Sequence, residues 1–276
     1  MNGRYLGNYL LCERVEIAKE RVNIAKLDDE YEENAHSTIG LDLTGGYLLE
    51  FDNWGGEALQ VRHEASGNTV SVKEPEELGS EVNTYNAYAY IQQYVTDFLD
   101  AVYGDGLMKD GRSYLDIIDT DSFARYFFHQ EFLMNGDCGR GSTFLYKDRD
   151  SIDPLLYAGP VWDHDRIFSD GRFDGWALRE IHHAGSDTRT IYNQLSRRRD
   201  FVEMLIEAYE TTDIPQVLAN ASRHIDVYTA QLRQSARMNS LRWGLPDMDL
   251  SWMKAGMQER AAWIAQNYRT LLDGAQ

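Results

Sequence analysis

The sequence predicts an α+β chain, and three observations carry that prediction. Strand-type patterns crowd the first 75 residues. Helix-period patterns take over from about residue 82. One pair of short apolar strands, between 142 and 163, interrupts the helices. Strands and helices that segregate in this way point to α+β rather than to a repeated βαβ order.

The elements follow in chain order. "RYLGNYLLCERVEI" (4–17) is rich in aromatic and aliphatic residues and reads as a first strand. "DDEYEENAHS" (28–37) is acidic and turn-prone and reads as an exposed loop. "GGYLLEFD" (45–52) reads as a strand opened by a glycine pair. "ALQVRHEASGNTVSV" (58–72) reads as two strands about the turn "SGN". In "NTYNAYAYIQQYVTDFLDAVYG" (83–104), Ala87, Tyr90, Ile91, Tyr94, Phe98 and Val102 share one helical stripe. "DTDSFARYFFHQEFLMNG" (119–136) opens on the cap formers Asp119, Thr120, Asp121 and Ser122 and closes at Gly136, with Phe123, Phe127, Phe128, Phe132 and Leu133 apolar. "STFLYKD" (142–148) and "LLYAGPVWD" (155–163) read as strands, and helices are expected over about 188–210, 215–238 and 247–272. No repeat, low-complexity tract or Pro/Ser-rich linker divides the 276 residues, so 1–276 reads as one domain. Within it, 1–80 is β-rich and 81–276 is mostly helical.

Composition narrows the function classes. Hydrophobic residues make up 43% and aromatics 12%, enough for a sizeable core. Lys and Arg number 27 against 45 Asp and Glu, a formal charge of −18. That surface repels phosphate backbones and argues against a nucleic-acid partner. Cys12 and Cys138 supply neither a disulfide framework nor a CxxC metal site. No run of about 18 apolar residues predicts a membrane span. The opening residues lack the charged, apolar, then small-residue layout of a signal peptide.

The chemistry concentrates in 135–168. Here a helix is followed by a loop with Asp137, a strand, a turn, a second strand and Asp163. Phosphotransferases of the protein-kinase type use this order: one Asp takes the hydroxyl proton, a polar residue five positions on contacts metal, and a second Asp holds Mg²⁺. Ser142 stands five positions after Asp137. Carboxylates suit a hard cation that takes oxygen ligands. By spacing alone a plainer reading stays open, in which Asp137 ends a turn and Asp163 caps a loop.

Whole motifs then add information. "NGRYLGNYLLCERVEIAKERVNI", "GGYLLEFD", "YLDIIDTDSFARYFFHQEFL", "NGDCGRGSTFLYKD", "AGPVWDHDRIF" and "LRWGL" occur in order, and over about residues 2–265 the chain resembles the spore coat protein H (CotH) kinase family. The resemblance implies an atypical protein kinase with a kinase-like fold, using ATP and Mg²⁺ to phosphorylate Ser or Thr of a protein substrate. It also implies a spore-coat or cell-surface setting. It assigns Asp137 as the catalytic-loop residue and Asp163, within Pro160–Asp165, as the Mg²⁺ ligand, with Asp165 in support. Ser142 takes a place where many members carry Asn and would offer an oxygen to metal and nucleotide. Glu13 would lie toward the adenine, or else simply face solvent on its strand. Members carry further sequence before the opening motif, so the resemblance also implies a shortened N-terminal lobe and weak or absent activity for this polypeptide alone. The competing expectation is a non-catalytic coat or surface protein that keeps the fold for binding.

Other candidates carry less. Lys73 could reach a phosphate, but three neighbouring glutamates offer it simpler partners. His182 and His183, with Asp187, could suggest metal, but adjacent residues of a strand face opposite sides and no third ligand has matching spacing. Arg197, Arg198 and Arg199 read as a solvated helical face. Trp162, Trp176 and Trp243 read as core or cleft wall. No GxSxG elbow supports an esterase.

Overall fold

The computed structural model describes residues 5–52, 59–76, 85–168 and 171–276. The first residues of the opening motif, Ala58 and the start of the helix expected from 83 lie outside that set. In chain order the elements are α1 (Leu27–Glu33), β1 (Tyr47–Phe51), β2 (Gln60–His63), β3 (Asn68–Glu74), α2 (Tyr85–Tyr103), α3 (Thr120–Leu133), β4 (Thr143–Lys147) and β5 (Leu156–Val161). Five helices complete it: α4 (Ile191–Leu195), α5 (Arg199–Thr211), α6 (Ile214–Asn220), α7 (Arg223–Trp243) and α8 (Ser251–Asn267). The architecture is α+β, with one antiparallel sheet in the order β2-β3-β1-β4-β5 and a helical C-terminal part.

The sheet is buried on both faces, and the two faces differ. Tyr47, Leu49 and Phe51 of β1, Val70 and Val72 of β3 and Leu145 of β4 join the main core with α2, α3 and α5. The alternate residues, Leu48 and Phe144, pack under Ile17 and Val22 of the N-terminal segment, with Tyr146 and Trp162 alongside. Side chains along a strand alternate between faces, so Glu50 and Lys73 share this second face. Glu74 fastens the segment that covers it by accepting the Ile17 N–H at 2.7 Å.

α3 delivers the chain to the candidate site. Asp119 caps its start, accepting the Ser122 N–H at 2.7 Å. Its end is fixed from two sides. Met134 turns into the left-handed region and its N–H closes back on Gln130 and Glu131. Glu131 is fully buried, pairs with the equally buried Arg260 of α8 at 2.8 Å and accepts the Ala177 and Leu178 N–H groups.

Several expectations are corrected. Residues 5–16 form no strand: Leu10 and Leu11 are 88% and 99% exposed, and an isolated bridge, Ile17 with Val22, is all the pairing there. β-propensity without a paired edge leaves backbone groups to water. The acidic stretch from 28 is not a loop, because α1 runs through it. Leu27 and Tyr31 bury one face, and Asp28, Asp29 and Glu30 suit the positive end of the helix. The helix expected over 188–210 is two, broken at 196–198, and that over 215–238 breaks near Ser222. Arg197 and Arg198 are not a solvated face. Arg197 donates to Asn193 and to the Arg179 carbonyl, and Arg198 stacks on Tyr114. Trp243 is 57% exposed rather than core.

Candidate active site

The two aspartate-bearing segments meet at one end of the sheet. β4 starts at Thr143 and β5 ends at Val161, and these two residues are register partners. The loop carrying Asp137 enters β4 there, and the segment carrying Asp163 leaves β5 there. Arg166 spans the gap, its Nε 3.6 Å from Asp137 Oδ2. Phe168 then ties the departing segment to the end of α3 by donating its N–H to the Leu133 carbonyl.

The Asp137 loop is held by its own backbone. Arg140 and Gly141 donate their N–H groups to the Asp137 carbonyl. Thr143 Oγ1 accepts the Gly139 N–H at 2.8 Å and donates to the Gly141 carbonyl at 3.0 Å. Gly139 has φ +77°, and a Cβ there would lie 3.0 Å from Thr190. Only glycine satisfies both conditions at low cost. Asp137 itself is half-buried.

Asp163 and Ser142 both have φ +53°. Left-handed backbone at a non-glycine residue costs energy and concentrates at functional sites. Asp163 and Asp165 are exposed, and among the described residues neither makes a hydrogen bond or ion pair. Among the described residues their oxygens are therefore uncommitted. The described residues contain no cluster of three or more metal-binding side chains, so Asp137, Asp163 and Asp165 form no ready-made carboxylate nest, and His182, His183 and Asp187 form none either. Mg²⁺ bound to a nucleotide needs only one or two carboxylates, with phosphate oxygens and water completing its shell. The donor set fits that use.

Glu50 is a candidate the sequence reading passed over. It is 9% exposed, opposite Phe144 of β4, with Lys73 Nζ 3.3 Å from its carboxylate. Burial pushes its pKa up, while Lys73 and the Ser142 N–H pull it down. Ser142, five residues after Asp137, thus lies near this pair. The signal was present in "YLLEF": a lone acid inside an otherwise apolar run. Lys73 was expected to pair with its glutamate neighbours in sequence, and the sheet gives it Glu50 instead.

Glu13 is exposed and 3.3 Å from Arg21 Nε. It lines a cavity of about 530 Å³ whose opposite wall is Tyr146, Val161 and Trp162, the last adjacent to Asp163. Behind Asp163, His164 and His129 of α3 meet edge to face with ring centroids 5.0 Å apart. Burial, then His164, holds His129 down at about 4, and burial lowers His164 as well.

No curated protein matches the chain. A family model described as CotH kinase protein matches residues 1–271. That match covers nearly the whole chain and spans the Asp137 loop, the β4–β5 pair and the Asp163 segment, and so the chain belongs to the CotH kinase family.

Proposed function

We propose that the protein is a kinase that transfers the γ-phosphoryl group of ATP to Ser or Thr of a protein substrate. The observation that carries this reading is that the Asp137 loop and the Asp163 segment meet at one sheet end, where Arg166 of the second segment reaches Asp137 of the first. Asp137 orients the acceptor hydroxyl and takes its proton as the oxygen attacks phosphorus in line. Asp163 would hold Mg²⁺, with Ser142 and Asp165 beside it, and the ion would supply neutralisation of the phosphate charge. Lys73, set by Glu50 on the sheet face that Ile17 and Val22 cover, is the cation this reading offers to the phosphates. The cavity bounded by Glu13 and Trp162 takes the base. Phosphoryl transfer asks a protein mainly for position and charge, which these residues supply.

One observation favours a second reading, a non-catalytic binding protein: no three-carboxylate cluster is preformed among the described residues. A spore-coat or surface setting fits either reading, with a coat protein as substrate in the first and as binding partner in the second. Incubation with labelled ATP, Mg²⁺ and a Ser/Thr-rich acceptor protein separates them. Phosphotransfer by the wild type that is lost in both Asp137→Asn and Asp163→Asn supports the kinase. Equal label in wild type and variants, or none in any, leaves the binding protein.

A further inference from the structure

Beneath Asp137 lies a chain of buried side chains to which the family match gives no role. Gln130 of α3 is 0% exposed and Asn135, just past the helix, is 2% exposed. Buried amides need hydrogen bonds. Asn135 Oδ1 accepts the Asp137 backbone N–H at 3.2 Å, and Asn135 Nδ2 donates to Gln130 Oε1 at 2.9 Å. The Asn135 N–H also donates to the Gln130 carbonyl at 3.1 Å. Three successive polar groups thus run from the interior of α3 to the backbone of the reacting carboxylate.

The polarity of this chain is forced. A backbone N–H can only donate. Asn135 must therefore turn its oxygen to Asp137, its NH₂ must turn to Gln130, and Gln130 must present its oxygen. The consequence is visible at the far end. Among the described residues no well-formed hydrogen bond reaches Gln130 Nε2 or the Tyr126 hydroxyl, which lies beside Gln130 and Thr143. An unmet buried donor costs stability, and such a cost is the usual mark of a group retained for a site. An apolar residue of similar volume would remove that donor but leave the buried Asn135 Nδ2 without its acceptor.

We propose that Gln130 is a positioning residue for Asp137, acting through Asn135. Gln130 fixes the rotation of the Asn135 amide, Asn135 fixes the Asp137 backbone, and the backbone sets where the carboxylate meets the acceptor hydroxyl. The kinetic consequence rests on the phosphotransfer reading. The geometric one does not.

The test is a set of four variants read in two ways. Gln130→Leu keeps volume and removes the oxygen. It is expected to lower kcat by roughly tenfold to a hundredfold, the usual penalty for a misplaced group, with the KM for ATP unchanged because Lys73 and Asp163 are untouched. Gln130→Glu keeps an acceptor toward Asn135 and offers a second one to Tyr126, so most activity survives. Asn135→Asp is tolerated alone, since Gln130 can turn its NH₂ to the new carboxylate. The double variant Gln130→Glu with Asn135→Asp sets acceptor against acceptor and loses more than the two single changes combined. Additive behaviour overturns the relay. The second readout is amide hydrogen exchange at Asp137 in the nucleotide-free protein, about tenfold faster in Gln130→Leu and in the double variant and unchanged in Gln130→Glu. If this exchange pattern holds while no variant or wild type transfers phosphate, the kinase reading fails and the positioning of Asp137 stands. If exchange at Asp137 is the same in Gln130→Leu as in wild type, the relay is wrong whatever the activity. Should Gln130→Leu not fold, the cycle of Gln130→Glu and Asn135→Asp decides alone.

Discussion

Lys73 and Glu50 stand 3.3 Å apart on the covered face of the sheet, although neither belongs to the segment that carries the two aspartates. Burial raises the Glu50 pKa, with Lys73 and the Ser142 N–H opposing. A carboxyl raised in the folded state favours folding at low pH, and that favour fades as pH rises through the folded value. At neutral pH the charged Glu50 therefore works against stability. Glu50→Gln is expected to leave urea stability at pH 7 unchanged or higher, because the amide carries no charge for burial to disfavour. The same variant weakens stabilisation by ATP and Mg²⁺, measured as the ligand-dependent rise in Tm. A loss of several kcal/mol in the unliganded protein would show that the pair is structural.

Asp163 is held at φ +53°. Asp163→Gly removes both the strain and the carboxylate. Folding stability should hold or rise by up to about 1 kcal/mol, while Mg²⁺-dependent nucleotide binding disappears. Calorimetric titration with the ATP analogue, with and without Mg²⁺, reads the second effect. Parallel loss of stability and binding would count against a site role for this residue.

Glu131 and Arg260 are both fully buried and pair at 2.8 Å. Breaking a buried pair from one side leaves a charge without its counter-charge. Glu131→Gln and Arg260→Met are each expected to cost about 3–5 kcal/mol in urea unfolding. The double variant should cost clearly less than the two combined. Full additivity would mean that Arg260 acts through the Phe173 and Gly175 carbonyls it also binds and not through Glu131.

His129 is held at about 4, below its ordinary value of 6.5, first by burial and then by His164. The unfolded chain binds this proton more readily than the folded one. Stability from this group is therefore whole above about 6.5 and falls as pH drops toward 4. Across that window His129→Phe should lose less stability than wild type, by about 2–3 kcal/mol at most. Identical slopes of unfolding free energy against pH would remove His129 from the account.

The sequence alone determined the α+β class, most helices and strands, and the family. Those properties live in local period and in motif order. The stripe of Ala87, Ile91, Phe98 and Val102 is buried as its spacing requires, because helix period is a property of neighbours. Where local propensity needed a distant partner, the sequence misled. "NYLLCERV" has strand composition but pairs with nothing, and "DDEYEE" has loop composition but is helical because Leu27 and Tyr31 find a core.

The site divides in the same way. Asp137, Ser142 and Asp163 could be picked out as candidates because they sit at fixed distances along one continuous segment. The pair of Glu50 and Lys73 could not, since the two are far apart in sequence and become partners only across β1 and β3. Nor could spacing show that Gln130 reaches Asp137, because that link needs a helix end turned back by Met134 and an amide orientation imposed by a backbone donor. Periodicity records which residues face the same way. Only the folded chain decides which faces meet, and the charges and hydrogen bonds that place the two aspartates belong to those meetings.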